Sequence, residues 1–146
     1  MLRAAAEPYP VTPFHWSALV ETAGYYQMGS VDTWNETVDT NDQNDVIFKP
    51  PVTPAVMAAK RSWLGRVYLD WARFPLVEDR GHANLTASDD LAPEPLDTVV
   101  EFSDLRFAYP VLSRGRSEAT RALTAWDYIT PDGRIDAMVM NGRVQK

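Results

Sequence analysis

Cysteine is absent from this chain of 146 residues. Without cysteine the protein cannot form disulfides, use a thiolate as a nucleophile, or bind a metal through thiolates. A cysteine-free chain is compatible with any redox compartment, so this absence excludes kinds of chemistry and leaves the location open.

Histidine is scarce, with only His15 and His82. Neither stands at the spacing of an HxxxH or HExxH metal motif. The acidic run between Asp39 and Asp45 lacks the glycine and the closing glutamate of an EF-hand loop. We therefore predict a solvated loop or hairpin tip over residues 34–45, and no metal site formed by this chain alone.

Long apolar runs and excess positive charge are also missing. No stretch reaches the roughly 18 apolar residues that span a bilayer, and the opening MLRAAAEPYP has no apolar core of a signal peptide. The net charge of −6 disfavours a surface that follows nucleic-acid phosphates. The chain is predicted to be soluble, without a nucleic-acid partner.

The glycine motifs of common enzymes do not occur. The seven glycines form neither a G-x-S-x-G elbow nor a phosphate-binding loop, so nucleophilic hydrolysis and nucleotide binding lack their usual carriers. We predict no catalytic, cofactor-binding or metal-binding residue in this chain.

The longest periodic stretch runs from Thr53 to Pro75. Its apolar residues recur at intervals of three and four, as in a helix that covers a core. Thr53 suits the N-cap, and Pro75 cannot continue the helical hydrogen bonds. We predict one helix over about residues 54–74, with Arg73 in its last turn. Gly65 costs about 1 kcal/mol relative to alanine inside a helix, so it indicates a close contact with a strand or an aromatic ring.

The remaining segments have the patterns of short strands. Residues 14–22 and 25–33 flank Ala23-Gly24, a hairpin signature, and a bulge is expected at Gly29. Further strands are expected at 46–49, 76–79, 97–109, 119–130 and 134–144, with a loop at 80–96. In the strand at 119–130, one face is predicted to hold Leu123, Ala125 and Asp127, and the other Trp126 and Tyr128.

The order of strands, helix and strands favours an α+β fold, with an antiparallel β-sheet packed against one principal α-helix. Three prolines in residues 1–13 predict an irregular, Pro-rich lead-in. Residues 14–146 are predicted to form a single domain.

Three charged residues stand beside aromatic residues in half-buried elements: Arg73, Asp104 and Arg106. A charge in such a place must be paired or reach solvent. We predict an Arg–Asp pair that ties the helix end to the long strand. The alternative is a ligand-binding role for the same residues.

Two motifs carry a family resemblance, YLDWARFP at Tyr68–Pro75 and TVVEFSDLRF at Thr98–Phe107. With the opening YPVTPFHWSALVET, they resemble the carboxy-terminal tail of bacterial membrane-bound metal-dependent hydrolases, a LexA-regulated inner-membrane family. In that family, membrane helices that precede the tail carry the histidine and acidic residues assigned to metal binding. The residues here that match the tail are Arg73, Phe74, Pro75, Asp104, Leu105 and Arg106; none matches the metal-binding part.

The resemblance implies a non-catalytic, soluble accessory domain of a membrane-anchored parent. Its partner would be the parent's amino-terminal membrane domain, and any metal would be held there; the side of the membrane stays open. A second hypothesis is a small-molecule binding or catalytic domain, with a pocket between helix and sheet lined by Trp16, Tyr26, Trp63 and Trp126. A third is a homodimeric interaction module with Trp34, Trp126 or Tyr128 on an exposed sheet face.

Overall fold

The protein is mostly β. In a computed structural model, residues 1–9, 12–40, 45–82, 96–107, 123–140 and 142–145 are described. Ten strands account for 55% of these residues, beside two short helices. The predicted α+β fold, one sheet packed against one principal helix, is therefore wrong, because the early segments form a sheet of their own and the helical stretch is interrupted.

Two compact units divide the chain, Met1–Lys49 and Pro50–Lys146. The single domain predicted for residues 14–146 stays a prediction, since the compactness of each unit does not determine whether the two fold together.

The first unit is a five-stranded antiparallel sheet. Its strands are β1 Arg3–Tyr9, β2 Thr12–Glu21, β3 Tyr25–Asp32, β4 Thr37–Asp39 and β5 Val46–Phe48. The order is β1-β2-β3-β4, and β5 pairs with the first residues of β3. The predicted hairpin around Ala23-Gly24 is confirmed. The lead-in is not irregular, because β1 pairs with β2 along most of its length.

Gly29 does not form the predicted bulge, since β2 and β3 pair without a register shift from His15 to Glu21. A side chain at Gly29 would instead meet Thr40 at 3.0 Å and the Asp39 carbonyl oxygen at 3.2 Å. The glycine is thus explained by close approach of the chain at the end of β4. The β3–β4 turn is closed by Asp32, whose carboxylate accepts the backbone N–H groups of Trp34 and Asn35.

The second unit is a five-stranded antiparallel meander with two helices on one face. Its strands are β6 Pro75–His82, β7 Thr98–Asp104, β8 Ala125–Ile129, β9 Ile135–Met140 and β10 Arg143–Gln145, in the order β10-β9-β8-β7-β6. The core lies between helices and sheet and includes Val56, Leu64, Tyr68, Val77, Val100, Phe102, Ala125 and Ile129.

The predicted single helix is two helices, α1 Pro54–Arg61 and α2 Trp63–Trp71. The N-cap at Thr53 is confirmed, since its hydroxyl accepts the Val56 N–H at 3.2 Å. The break falls at Ser62, which donates its N–H to the Ala59 carbonyl and accepts the Gly65 N–H on its hydroxyl at 2.7 Å. Ser62 therefore ends one helix and caps the next. Because α2 ends at Trp71, Arg73 follows the helix and is not in its last turn.

Gly65 makes the close contact that its position predicted. A Cβ atom there would lie 2.0 Å from the Ala59 carbonyl oxygen and 3.1 Å from the ring of Phe102. Any side chain at Gly65 would thus push α2 away from the end of α1 and from β7.

The carboxy-terminal strand prediction is corrected to a hairpin. β9 ends at Met140 and β10 begins at Arg143, and these two residues pair across the turn. Gly142 has a φ of 74°, a conformation that suits glycine. The predicted strand at 97–109 gives way to a 3-10 helix at Leu105–Phe107. Residues 83–95 of the predicted loop, 108–109 of that strand and 119–122 of the next lie outside the described residues.

Candidate functional site

Arg73, Asp104 and Arg106 meet just after α2, at the end of β7. The Asp104 Oδ2 atom accepts hydrogen bonds from the Arg73 backbone N–H at 2.9 Å and from the Arg106 guanidinium at 2.9 and 2.8 Å. Its Oδ1 atom accepts the Arg106 backbone N–H at 3.0 Å. These three residues are called the Asp104 latch below.

The latch saturates a fully buried carboxylate. The Asp104 side chain has no exposed surface, and the Arg106 side chain is 18% exposed. Charge-assisted bonds of this geometry compensate for the loss of water. The structure thus brings the three predicted residues together, with one difference. The tie to the segment after α2 is the Arg73 backbone N–H, while the side-chain ion pair belongs to Arg106.

Two aromatic rings hold the Arg106 side chain in place. Its guanidinium lies 5.3 Å from the ring centroid of Trp71 and 5.2 Å from that of Phe107. The two rings are nearly parallel, at 3° and 5.8 Å between centroids. Cation–π contacts of this kind favour the charged guanidinium in its position. The Arg106 guanidinium therefore contacts Asp104 through hydrogen bonds and the Trp71 and Phe107 rings through cation–π contacts.

The four aromatic residues predicted to line a pocket lie in different units and on different faces. In the first unit, Tyr26 is opposite Glu21, on the face that Trp16 does not share. In the second unit, Trp63 is exposed on α2. Trp126 lies on the sheet face turned away from the helices, since Ala125 and Ile129, on the other face of β8, belong to the core. Within neither unit do the two residues line a common surface.

Asp127 is a buried carboxylate that the sequence placed on the correct face but did not single out. It lies between Ala125 and Ile129 on the helix-facing side of β8, with no exposed surface. Neither carboxylate oxygen has a hydrogen-bond partner of good geometry among the described residues, although the Ser62 hydroxyl lies near enough to favour the charged form. Burial raises the pKa of Asp127 to about 6, and the Ser62 hydroxyl opposes this rise only in part. The period-two alternation of β8 was the available signal.

Glu21 forms a second buried charged group, in the first unit. Its carboxylate pairs with Arg3 of β1 and, at 2.7 Å, with Lys49, which also lies 4.9 Å from the ring centroid of Tyr26. Burial raises the pKa of Glu21, but the hydrogen bonds from Lys49 and Arg3 outweigh burial, and the net pKa is below its ordinary value. Sequence reasoning missed this cluster because it treated Arg3 as part of an irregular segment.

The two histidines lie apart from these carboxylates. His15 Nδ1 lies 3.8 Å from Asp32 in the first unit, and His82 ends β6 in the second. Among the described residues, no group of three or more histidine, aspartate or glutamate side chains could hold a metal ion. Part of the acidic run at 39–45 lies outside those residues.

The outer face of α2 exposes three apolar side chains at helical spacing. Trp63 is 52% exposed, Val67 48% and Trp71 45%. They are four residues apart and so form one stripe. Arg66, one turn from Trp63, is exposed beside the stripe, with its Nε 3.4 Å from the Ser62 carbonyl oxygen. Trp63, Val67 and Trp71 together are called the α2 stripe below.

None of the helices in the described part of the chain has the length and hydrophobicity to cross a bilayer. Comparison with protein-family models, curated proteins and solved structures finds no match to this chain. The resemblance of its two motifs to the tail of membrane-bound hydrolases therefore stays a prediction.

Proposed function

We propose that this chain is a non-catalytic accessory domain of a membrane-bound parent, of the hydrolase family that its motifs resemble. The Asp104 latch is the observation that carries the proposal. The latch and its immediate neighbours are the residues on which the resemblance rests. Pro75 pairs with Asp104 in the sheet, and the Leu105 N–H donates to the Phe74 carbonyl at 3.0 Å. The shared motif is therefore a junction that holds a scaffold together.

The latch has the properties of a structural element. A general base or a metal ligand needs a lone pair directed at the substrate or the ion. The four donors around Asp104 come from the chain itself. The ligand-binding alternative required Asp104 or Arg106 to be unpaired within a cavity, and the two are paired with each other. A scaffold that presents a surface to a partner is the function this arrangement supports best.

The surface available for a partner is the α2 stripe. The latch anchors the end of α2 to β7 and fixes Trp71 between Tyr68 and Phe107. An exposed ring held in this way loses little conformational entropy when it is covered. The domain can thus offer a pre-organised apolar edge to the membrane surroundings of its parent.

The genomic sequence upstream of Met1 tests the attachment. We expect the reading frame, or a gene translated with it, to encode several apolar helices. A free-standing gene without such helices beside it would contradict the proposal.

An activity assay tests the non-catalytic role. The purified chain, with and without added Zn²⁺ or Mn²⁺, should hydrolyse phosphoester and carboxylester substrates no faster than the metal alone. Turnover that disappears in Asp104→Asn or Asp127→Asn, but persists in the surface control Asp70→Asn, would assign catalysis to this chain and refute the proposal.

A further inference from the structure

The α2 stripe combines two half-exposed indoles with a local excess of positive charge. Residues 54–73 contain Lys60, Arg61, Arg66 and Arg73 against a single acid, Asp70, a net charge of +3. The whole chain has a net charge of −6, so the rest carries −9. Among the described residues, neither Lys60 nor Arg61 has an ion-pair partner. A cationic segment on an acidic protein selects for an anionic partner.

The aromatic residues of the stripe narrow the kind of anionic partner further. Trp63 and Trp71 present an apolar ring with a polar N–H, the combination that concentrates at membrane–water interfaces. Helices with Lys or Arg beside such aromatic residues bind in the plane of the lipid headgroups. Two half-exposed tryptophans offer roughly 200 Å², well below the ~800 Å² per partner of a stable protein complex. A small apolar contact area is enough for binding to an anionic membrane, because the membrane surface also supplies continuous negative charge.

We infer that the α2 stripe docks on the headgroup region of an anionic phospholipid bilayer. Trp63 and Val67 enter the interface, Trp71 lies at its edge, and Arg66, which is exposed beside the stripe, meets lipid phosphates, while the net positive charge of residues 54–73 adds to the attraction. Asp70 lies next to the stripe on the same exposed side of α2 and weakens this binding. The inference rests on the proposed function in one respect, since it names the surface against which the accessory domain lies.

Co-flotation of the purified chain with lipid vesicles tests the inference. We expect binding to vesicles that contain phosphatidylglycerol to exceed binding to pure phosphatidylcholine by at least about tenfold at low salt. The difference should shrink as the salt rises to roughly 0.15 M. Equal binding to both kinds of vesicle, or none to the anionic ones, would overturn the inference.

Paired variants locate the binding surface. Trp63→Ser and Arg66→Glu should each abolish most of the flotation, and Asp70→Lys should strengthen it at least about fivefold, since each charge near the surface contributes about that factor. The matched controls are Trp34→Ser, at a tryptophan 72% exposed in the other unit, and Arg143→Glu, at an exposed cation of β10. All five positions are exposed, and circular dichroism should show an unchanged fold.

Each outcome separates this inference from the proposed function. If flotation is lost equally in the controls, or if Trp63→Ser instead converts a dimer to a monomer by light scattering, lipid docking is refuted. The proposed attachment to a membrane parent would still stand if the upstream sequence encodes membrane helices. Conversely, vesicle binding by a catalytically active chain would refute the proposed function and keep the inference.

Discussion

Two buried aspartates on adjacent strands of one sheet have opposite surroundings. Asp104 at the end of β7 accepts four hydrogen bonds, two of them from a guanidinium. Asp127 in β8 has an equally buried carboxylate that receives no hydrogen bond of good geometry among the described residues, and the nearby Ser62 hydroxyl offsets its burial only in part. Both follow the alternation that turns Val100, Phe102, Ala125 and Ile129 toward the helices.

The difference indicates that hydrogen-bond donors, more than depth of burial, decide how a buried carboxylate affects the free energy of unfolding. A saturated carboxylate stabilises the junction that it spans, whereas an unsatisfied one becomes protonated more readily because the charged form is poorly solvated. The following predictions break or sharpen this comparison, in order of decreasing effect.

Asp104→Ala should lower the free energy of unfolding by about 3–5 kcal/mol. The substitution leaves Arg106 without its counter-charge and the Arg73 N–H without its acceptor. Urea denaturation at pH 7 measures the loss. The control Asp70→Ala removes an exposed carboxylate and should change stability by less than about 0.5 kcal/mol. A similar loss in both variants would mean that the latch contributes nothing specific.

Asp127→Asn should stabilise the protein at pH 8 by up to about 3 kcal/mol, because burial raises the pKa of Asp127 to about 6, well above the ordinary value of an aspartate. The folded state prefers the protonated carboxyl. The free energy of unfolding is therefore not reduced by Asp127 below about pH 4. It falls as the pH rises to about 6 and stays at the lower value above that pH. Denaturation at pH 4 and pH 8 measures the difference, and the gain should vanish at pH 4. An equal effect at both pH values would contradict the assignment.

Gly65→Ala should destabilise the second unit by about 1–3 kcal/mol, despite the better helix propensity of alanine. The added methyl group would meet the Ala59 carbonyl oxygen and the Phe102 ring. Gly24→Ala is the matched control, since nothing lies within 4 Å of a Cβ at that position. Thermal unfolding of the two variants should differ clearly, and stabilisation by Gly65→Ala would contradict the contact.

Ser62→Ala should cost about 1 kcal/mol, the typical value for loss of an N-cap. The Gly65 N–H would lose its acceptor, and the pKa of Asp127 would rise further because the opposing hydroxyl is gone. Carboxyl NMR titration would follow the pKa, and urea denaturation the stability. Ser62→Thr keeps the hydroxyl and should restore both values; failure to do so would separate the cap from the carboxylate.

The local start of the helical stretch was predictable, and its division was not. Thr53 and Pro54 mark the beginning by their own chemistry. The apolar period continues through Ser62 because α1 and α2 both turn buried faces to the same core, through Val56 and Leu64. A break that preserves the buried face leaves the hydrophobic pattern almost unchanged. The Ser62–Gly65 spacing was the only local sign of it.

The strands were harder to predict than the start of the helix, because their formation depends more on partners that are distant in the sequence. The alternation of β7 and β8 was visible in the sequence, whereas β1 was not, because RAAAEPY has a low intrinsic preference for strands and forms one against β2. In the candidate site, the meeting of Arg73, Asp104 and Arg106 followed from charges among aromatic residues. The poor hydrogen bonding of the buried Asp127 carboxylate could not be predicted, because it depends on which groups the folded helices bring near it.

The Glu21 cluster has a practical consequence for anyone who shortens this protein. A clone that omits the first thirteen residues as a dispensable leader would strip β1 from the sheet edge and Arg3 from a buried carboxylate, leaving Lys49 as the remaining counter-ion among the described residues. The trimmed protein would expose the hydrogen-bonding edge of β2, and a strand of another molecule could pair with that edge. Such a clone is expected to precipitate more readily than the intact chain.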